Sequence, residues 1–375
     1  MSARDRSSTP FGGGRDQDAG NRSLAERVCR HADTLERGRR SPLYVTLMRG
    51  AAVDLDRGGV VAELFAGLPA APGSVPALRL MAALHRLVLA GGAPELAAHY
   101  PSAGGSRLPH EAWPLAAAAL RDNFEAIRAR LTLTVQTNEP GRAAALYGGL
   151  LWLHERHGLP IRLLEVGASG GLNLLADRFG YRVGGETLGE GDSPLTFVEP
   201  WIGSPVPAPA LTARAMRVTE RGGCDIAPLD LASTEDRLTL RSYLWPDEPD
   251  RLARVDAALA VAADDPPQVV ACAAERWLAQ ILDTPRSGEL TVIWQSVVRQ
   301  YVGAESWATI EHAIQAAGLA ATAQTPLAWL TMEPGEDPLG GFVLSATTWP
   351  DATTRQLAIA ADHGPPVRWL ARAFG

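Results

Sequence analysis

The chain has 375 residues, a net charge of −7 and 46% hydrophobic residues, so it is long enough for two domains with substantial cores. The acidic balance argues against a nucleic-acid partner, because phosphate binding requires clustered cationic side chains. All 35 residues in the Lys+Arg total are Arg. The absence of Lys excludes P-loop nucleotide hydrolases, pyridoxal-phosphate enzymes and serine–lysine dyads.

The cysteines and the hydropathy pattern bear on the cellular compartment. Cys29, Cys224 and Cys272 are scattered, without the spacing of a disulfide framework or a zinc site. No apolar run approaches the roughly 18 residues of a membrane span. We therefore expect a cytoplasmic protein that binds neither a membrane nor a metal ion.

The first part of the chain has a helical character. Residues 1–22 contain almost nothing apolar and are expected to form a disordered tail. From residue 23 to residue 157, apolar side chains recur three and four positions apart, without a strand pattern. These helical patterns cover Leu24–Arg37, Leu78–Leu89, Leu115–Val135 and Leu146–His157. Residues 23–157 are therefore predicted to be an all-helical N-terminal domain that acts as a lid and determines substrate specificity.

The remainder, residues 158–375, has the pattern of an α/β domain. Ile161–Val166 predicts a buried strand, followed by a glycine-rich turn and a helix over Leu172–Phe179. Further strands are predicted over Met216–Thr219, Thr239–Leu244, Thr291–Val298, Pro326–Met332, Gly341–Thr348 and Gln356–Ala360. Helices are predicted over Asp250–Ala262, Val269–Leu282 and Ser306–Ala317.

Alternating strands and helices indicate a mostly parallel sheet. The short connection Trp349–Arg355 has no room for a helix, so the last two strands should form an antiparallel hairpin. A parallel sheet closed by such a hairpin is the Rossmann-like arrangement typical of methyltransferases, rather than that of dinucleotide dehydrogenases.

The turn after the first strand, LEVGASGGLN from Leu164 to Asn173, carries the functional argument. Methyltransferases have an acidic residue here, followed by glycines that let the backbone approach the methionine moiety and ribose of S-adenosylmethionine. The acid shapes the pocket for the cofactor's ammonium group. The candidate cofactor-binding residues are Glu165, Gly167, Ala168, Ser169 (in place of the central glycine), Gly171 and Asn173. The alternative is a tight turn that needs glycine for backbone reasons alone.

The same residues also fit G-x-S-x-G, the nucleophile elbow of α/β-hydrolases, with Ser169 as nucleophile and His363 as its base. The helical character of the upstream chain and the nearby Glu165 carboxylate, which would oppose an oxyanion, both argue against this serine esterase. We therefore expect no reaction of Ser169 with a fluorophosphonate probe. A third possibility is a non-catalytic binding protein on the same fold.

Two further groups could hold the cofactor. A second acid normally binds the ribose hydroxyls, and Asp225 is preferred to Glu199 for this role. Choosing Asp225 requires the Gly- and Pro-rich residues 183–212 to be an insertion. Arg142 could pair with the cofactor's α-carboxylate, or it could belong to an ordinary interhelical loop.

The remaining candidates follow predicted strands. Trp245 could stack on adenine and Asp247 could accept a hydrogen bond from its amino group, although Asp247 could instead cap the next helix. Gln295 and Tyr301 are the candidate catalytic residues, because ligands in open α/β sheets bind beyond the carboxyl ends of the strands.

Several pieces of the chain together resemble a known family. They are SPLY from Ser41, YPS from Tyr100, VQTNE from Val135, LLEVGAS from Leu163, GCD from Gly223, PLD from Pro228 and WPD from Trp245. The chain resembles an uncharacterised, mainly actinobacterial domain-of-unknown-function family (number 2332) from about residue 25 to the C-terminus. This resemblance implies a class I methyltransferase-like fold but no particular reaction. The expected function is S-adenosylmethionine-dependent methyl transfer to a small-molecule acceptor.

Overall fold

The computed structural model of the chain describes residues 13–68, 75–335 and 341–370. The chain divides into two compact units. The first, called the helical unit below, comprises Met1–Val135 and a later segment, Arg241–Pro249. The second, called the sheet unit, comprises Gln136–Leu240 and Asp250–Gly375. The chain therefore leaves the helical unit and returns to it once.

The helical unit is built from short and medium helices. Its α-helices are α1 (Gly13–Arg37), α2 (Pro42–Asp56), α3 (Val60–Phe65), α4 (Pro76–Leu89), α5 (Pro94–Ala97), α6 (Ala112–Asp122) and α7 (Phe124–Leu131), with 3₁₀ turns at Pro101–Ala103 and Pro109–Glu111. In the described residues before Ile161, every regular element is helical, as predicted. Helix α1 begins within the expected tail, whose residues 1–12 lie outside the described residues.

The single helix predicted over Leu115–Val135 is wrong, because α6 and α7 are separate. Asn123 lies between them with non-helical torsion angles, φ −119° and ψ 29°. Its side-chain amide donates to the carbonyl of Ala119 at 3.0 Å. Asn competes in this way for backbone acceptors, and the competition ends a helix that apolar spacing alone would continue.

The core of the helical unit contains residues that are distant in sequence. Leu43 and Leu47 of α2, and Leu80 and Leu84 of α4, are buried at the four-residue spacing that places side chains on one helix face. Trp245, from the returning segment, belongs to the same buried cluster. The return of the chain therefore completes this core.

A completely buried histidine, His85 of α4, lies in the same unit. Its Nδ1 lies 3.2 Å from the carbonyl oxygen of Ser242 and 3.1 Å from that of Leu244. Its Nε2 lies 2.7 Å from the hydroxyl of Ser102. Carbonyl oxygens only accept hydrogen bonds, so Nδ1 carries the proton and Nε2 accepts from Ser102. Burial lowers the pKa of His85 to about 4.

We predict that the stability of the protein decreases when the pH falls from 6.5 towards 4. In this range the unfolded chain binds a proton at His85 that the folded chain does not, so stability is present above pH 6.5 and is lost below it. The loss should approach about 3 kcal/mol in the free energy of unfolding. Denaturant titrations across this range measure it, and His85→Gln should lack this component. An unchanged pH slope in that variant would contradict the prediction.

The sheet unit begins with a 3₁₀ turn, Pro140–Arg142, and helix α8 (Ala143–His157). Its strands are β1 (Ile161–Val166), β2 (Gly180–Val183), β3 (Glu186–Gly189), β4 (Thr196–Val198), β5 (Trp201–Ile202), β6 (Val218–Asp225), β7 (Val269–Ala271), β8 (Leu290–Ser296), β9 (Leu327–Pro334), β10 (Phe342–Trp349), β11 (Thr353–Ala361) and β12 (Gly364–Trp369). The other helices are α9 (Pro209–Ala215), α10 (Thr234–Ser242), α11 (Pro249–Asp264), α12 (Ala274–Ile281) and α13 (Ala304–Ala320), with 3₁₀ helices at Leu172–Arg178 and Arg299–Tyr301.

The main sheet has nine strands in the order β5-β12-β11-β10-β9-β8-β1-β6-β7. Strand β1 is completely buried and pairs in parallel with both β6 and β8. From β1 the chain builds outwards to β6 and β7, and then crosses to β8 and β9 on the other side, so the strand order reverses next to β1. Ligands of open parallel sheets bind at such a reversal, beyond the carboxyl ends of the strands.

The C-terminal part of the sheet is antiparallel. Strands β10 and β11 form the predicted hairpin, which is thereby confirmed. The hairpin belongs to a larger antiparallel arrangement, because β10 also pairs with β9 and β11 pairs with β12. The prediction missed β12 and the small separate sheet of β2, β3 and β4.

Two further predictions of secondary structure, both in or next to the sheet unit, are wrong. The strand predicted over Thr239–Leu244 is mostly helix α10, whose first turn is capped by the Ser233 hydroxyl accepting from the Asp236 amide at 3.3 Å. The helix predicted over Val269–Leu282 is strand β7 followed by α12. Its first residues pair with the end of β6, and this tertiary contact overrides the local helical pattern.

Among the described residues, no helix has both the length and the apolar character that a bilayer span requires.

Candidate functional site

The glycine-rich turn follows β1 at the point where the strand order reverses. Gly167, Ser169 and Gly171 all have left-handed backbone conformations, with φ of 70°, 53° and 78°. The amides of Gly167 and Ala168 both donate to the carbonyl of Cys224, at 2.9 and 3.0 Å. The turn is thus bonded directly to the end of the neighbouring strand, β6.

The glycines of this turn are required by packing within the protein. A Cβ atom on Gly167 would lie 2.6 Å from a methyl group of Val298, and one on Gly171 would lie 2.8 Å from Pro267. Valine at either position would therefore disturb the fold itself. Loss of ligand binding in such variants would not identify a cofactor site, and a test has to use other residues.

Ser169 and Asp225 are joined in one hydrogen-bonded arrangement. The Ser169 amide donates to Asp225 Oδ2 at 3.0 Å, and the other carboxylate oxygen accepts from the Ala227 amide at 2.9 Å. The Ser169 hydroxyl donates to the side-chain oxygen of Gln136, whose amide nitrogen donates to the carbonyl of Ala227 at 2.9 Å. The structure therefore brings the predicted turn and the predicted second acid together.

Glu165, at the end of β1, is the most unusual group in the turn. Its side chain is only 2% exposed, and its Oε2 atom has no hydrogen-bond partner. Burial raises the pKa of Glu165 well above its ordinary value, and the neighbouring Asp225 raises it further. The nearby Asn173, Arg142 and Trp294 lower this pKa but do not outweigh burial. Glu165 is thus a buried carboxyl group without a full set of partners.

A second buried acceptor lies beside Glu165. Asn173 is 2% exposed, and its Oδ1 atom also has no hydrogen-bond partner. Burying such an atom unsatisfied costs about 1–3 kcal/mol. Asn173 is held at the start of the 3₁₀ helix, where the preceding Leu172 amide donates to Asn138 Oδ1 at 2.8 Å. Two buried acceptor atoms without a partner, Glu165 Oε2 and Asn173 Oδ1, therefore lie near the end of β1, together with the unpartnered indole N–H of Trp294.

Arg142 is a buried cation near this strand end. Its guanidinium donates to the Ser296 carbonyl at 3.2 Å, to the Ser296 hydroxyl at 3.4 Å and to the Asp362 carbonyl at 3.2 Å. Burial lowers the pKa of Arg142, which is 7% exposed. Among the described residues, no carboxylate lies within ion-pair distance of it, and none accepts a hydrogen bond from its Nη2. The carboxylates of Glu139 and Asp362 raise the pKa of Arg142 from a longer distance, without an ion-pair contact.

The two candidate catalytic residues differ in how firmly they are held. Gln295 is buried, donates to Glu333 at 2.9 Å and accepts from the Trp329 indole at 3.1 Å, so both ends of its amide are used inside the sheet. Tyr301 keeps 41% of its surface exposed. Partial desolvation raises the pKa of Tyr301, whereas Arg142 lowers it. A direct part in chemistry stays a prediction for both residues.

Sequence reasoning missed a buried ionic group beside Arg142. Glu139 is completely buried and accepts from Arg251 Nε at 2.7 Å and from Arg254 Nη1 at 3.2 Å. The Gly141 amide donates to the same carboxylate at 3.0 Å. Acid followed by Pro-Gly-Arg predicted a loop, and the two Arg residues more than 100 positions later gave no sign that they pair with it.

Three of the predicted residues have other surroundings. Trp245 and Asp247 belong to the helical unit, where Arg40 lies 4.2 Å from the Trp245 ring centroid and Asp247 accepts from the Leu43 amide at 3.3 Å. Glu199, the second choice for the ribose, follows β4 of the small sheet and accepts from the Gly184 amide at 3.0 Å. The structure does not bring Glu199 to the end of β6, which leaves Asp225 as the acid at that position.

The fold and the glycine-rich turn first define the structural class of the protein. The chain is a mixed α/β protein with a large, mostly parallel sheet and an N-terminal helical region, and polar residues meet at the reversal of its strand order. Residues 25–369 match DUF2332, a family described as an uncharacterized protein conserved in bacteria. The chain belongs to this family. No curated protein and no solved structure matches it.

Proposed function

We propose that the protein is an S-adenosylmethionine-dependent transferase that methylates a small-molecule acceptor. The observation that carries this proposal is the pair of unsatisfied acceptors, Glu165 Oε2 and Asn173 Oδ1, at the carboxyl end of β1. An ammonium group has three donors and a positive charge, so it would satisfy both atoms and favour the ionised form of Glu165. The methionine part of S-adenosylmethionine carries such a group.

Arg142 and Asp225 extend the same interpretation. Arg142 has an unused donor and no carboxylate partner in the described residues, and the α-carboxylate of the cofactor would supply one in fork geometry. Each Asp225 oxygen accepts one backbone hydrogen bond and has a further lone pair. Those lone pairs suit the two hydroxyl groups of a ribose. The cofactor-facing groups would then be Glu165 and Asn173 for the ammonium, Arg142 for the carboxylate and Asp225 for the ribose.

The chemistry of such a site requires little from the protein beyond geometry. The sulfonium supplies an activated methyl group, which an acceptor nucleophile attacks in line. The protein holds the two reactants together and excludes water. Tyr301, partly exposed beyond the end of β8, is the candidate to contact the acceptor.

The esterase alternative at Ser169 finds less support. A nucleophilic serine requires a general base within hydrogen-bonding reach. The Ser169 hydroxyl donates to Gln136, an amide that cannot act as this base. Among the described residues, His363 instead pairs with Asp362, with Nδ1 3.4 Å from a carboxylate oxygen. A non-catalytic binding protein remains the second candidate, since the unsatisfied acceptors favour a ligand and not a reaction.

Calorimetric titration with S-adenosylmethionine and S-adenosylhomocysteine tests the proposal, and we predict binding of both. Ser169→Gly is a matched variant, because glycine accepts the φ of 53° and only one hydroxyl is lost. Its affinity should change by no more than the net value of one hydrogen bond, about 1 kcal/mol or roughly fivefold. Absence of binding to the wild-type protein would contradict the proposal. A fluorophosphonate adduct on Ser169 would support the esterase instead.

A further inference from the structure

A second group of reactive side chains lies in the helical unit, remote in sequence from the glycine-rich turn. Ser102 follows Tyr100 and Pro101 in a 3₁₀ turn, and its hydroxyl lies 2.7 Å from Nε2 of His85. Ser102 is half-buried, whereas His85 is completely buried. Solvent and ligands therefore have access to the serine, while the histidine is shielded from them.

The histidine is held in the form that a general base requires. The carbonyls of Ser242 and Leu244 fix the proton on Nδ1, so the lone pair of Nε2 is directed at Ser102. At neutral pH the ring is uncharged, because burial lowers its pKa. The nucleophile, the base and the groups that orient the base are thus all present, with carbonyl oxygens in the place that a carboxylate takes in hydrolytic triads.

An unsatisfied donor lies next to this pair. Tyr100 is completely buried, its ring centroid is 5.4 Å from that of His85, and its hydroxyl has no hydrogen-bond partner. A hydroxyl buried in this way costs about 1–3 kcal/mol unless it meets an acceptor. The carbonyl oxygen of a bound ester is such an acceptor. This observation is independent of the contact between Ser102 and His85.

We propose that Ser102 and His85 form a second active site, in which Ser102 is the nucleophile and His85 the general base for hydrolysis of a carboxylic ester. Ser102 Oγ forms a bond to the ester carbonyl carbon and transfers its proton to His85 Nε2. The bond to the leaving alcohol breaks, and that alcohol leaves with the proton from His85. Water then attacks the acyl group on Ser102, His85 takes one water proton and returns it to Ser102, and the carboxylic acid is released.

The surroundings of the site restrict the substrate class. A base whose protonated form is disfavoured by burial removes a proton weakly, so the substrate should be an ester with a good leaving group rather than an amide. The site lies in the helical unit and does not depend on the transferase proposed for the sheet unit. Binding of S-adenosylmethionine and reaction at Ser102 can therefore succeed or fail separately.

The test is covalent labelling of the full chain with a fluorophosphonate, followed by mass spectrometry of the peptide that contains Ser102. We expect a label on Ser102 of the native protein and none on Ser106, an exposed serine of the same loop that serves as an internal control. In Ser106→Ala, Ser102 should be labelled at the wild-type rate, whereas the peptide of Ser102→Ala should carry no label. Likewise, Ser106→Ala should hydrolyse p-nitrophenyl acetate at the wild-type rate, and Ser102→Ala should lose this activity.

If His85 activates Ser102, the rate at which Ser102 is labelled must depend on His85, whereas a merely exposed hydroxyl would not show this dependence. His85→Gln should lower the rate of labelling by about 100-fold or more, the usual contribution of a general base. If His85→Gln does not fold, the comparison uses wild-type protein unfolded in guanidinium chloride instead. Unfolding separates Ser102 from His85, so the rate of Ser102 labelling should fall by a similar factor. An unlabelled Ser102 in the native protein, or a labelling rate that survives loss of His85 or unfolding, would overturn the proposal.

Discussion

Glu165→Gln is expected to stabilise the protein at neutral pH and to remove most of its affinity for S-adenosylmethionine. The folded-state pKa of Glu165 is raised, so the stability that this group contributes is present below its ordinary pKa and is lost as the pH rises. Glutamine does not ionise and can donate to Asn173. We expect the free energy of unfolding to rise by about 1–3 kcal/mol, the cost of a buried unsatisfied group.

The same substitution removes the charge that would bind the cofactor's ammonium. Hydrogen bonds to charged groups contribute about 1.5–3 kcal/mol, so the affinity should fall roughly 10- to 100-fold. Denaturant titration at pH 5 and at pH 8, both above the ordinary glutamate pKa of about 4.3, measures stability, and calorimetry measures binding. Glu333→Gln is the matched control, because burial also raises the pKa of Glu333 but its Oε1 already accepts from the Val298 amide at 3.1 Å. Equal binding losses in both variants would contradict a specific role for Glu165.

Glu139→Gln is expected to have the largest effect on stability, a loss of about 3–5 kcal/mol in the free energy of unfolding. The substitution removes the buried carboxylate that both Arg251, which is 7% exposed, and Arg254 contact. Removing one partner of a buried ion pair is strongly destabilising, although the intact pair need not stabilise a fold relative to apolar residues.

Denaturant titration measures this loss, with Glu36→Gln as the control. Glu36 also pairs with an arginine, Arg49, at 2.9 Å, but its side chain is 63% exposed. Exposed ion pairs contribute about 0–1 kcal/mol, so this variant should differ little from the wild type. Similar losses in the free energy of unfolding for the two variants would contradict the prediction that the buried ion pair of Glu139 matters more than an exposed one.

The sequence predicted the parts of the fold that depend on long local patterns. The buried run of β1, its glycine turn and the parallel strands that follow were recognisable because hydrophobic periodicity extends over whole elements. The prediction of a strand over Thr239–Leu244 was wrong because six residues are too few to distinguish the helical repeat of 3.6 residues from the strand repeat of two. The capping sequence from Ser233 to Asp236 was the better signal, since it satisfies helix donors directly.

The candidate site was predictable only in part for a related reason. Glu165 and Asp225 could be placed together, because adjacent parallel strands bring their carboxyl ends to one edge. The partners of Arg142 could not be foreseen, since Ser296 lies 154 residues further along the chain. Nor does any local pattern show that the acceptors of Glu165 and Asn173 lack partners, as this depends on packing from every side.

The return of Arg241–Pro249 to the helical unit has a consequence for synthesis on the ribosome. Trp245 belongs to the buried cluster of that unit, and the carbonyls that orient His85 come from the same segment. The N-terminal helices therefore emerge long before the residues that complete their core. Domains generally fold as units during translation. The helical unit is complete only after Arg241–Pro249 is synthesised, more than a hundred residues after Val135. During that interval the apolar side chains that pack against Trp245 in the folded protein lack this cover, and such exposed apolar surface is what chaperones protect.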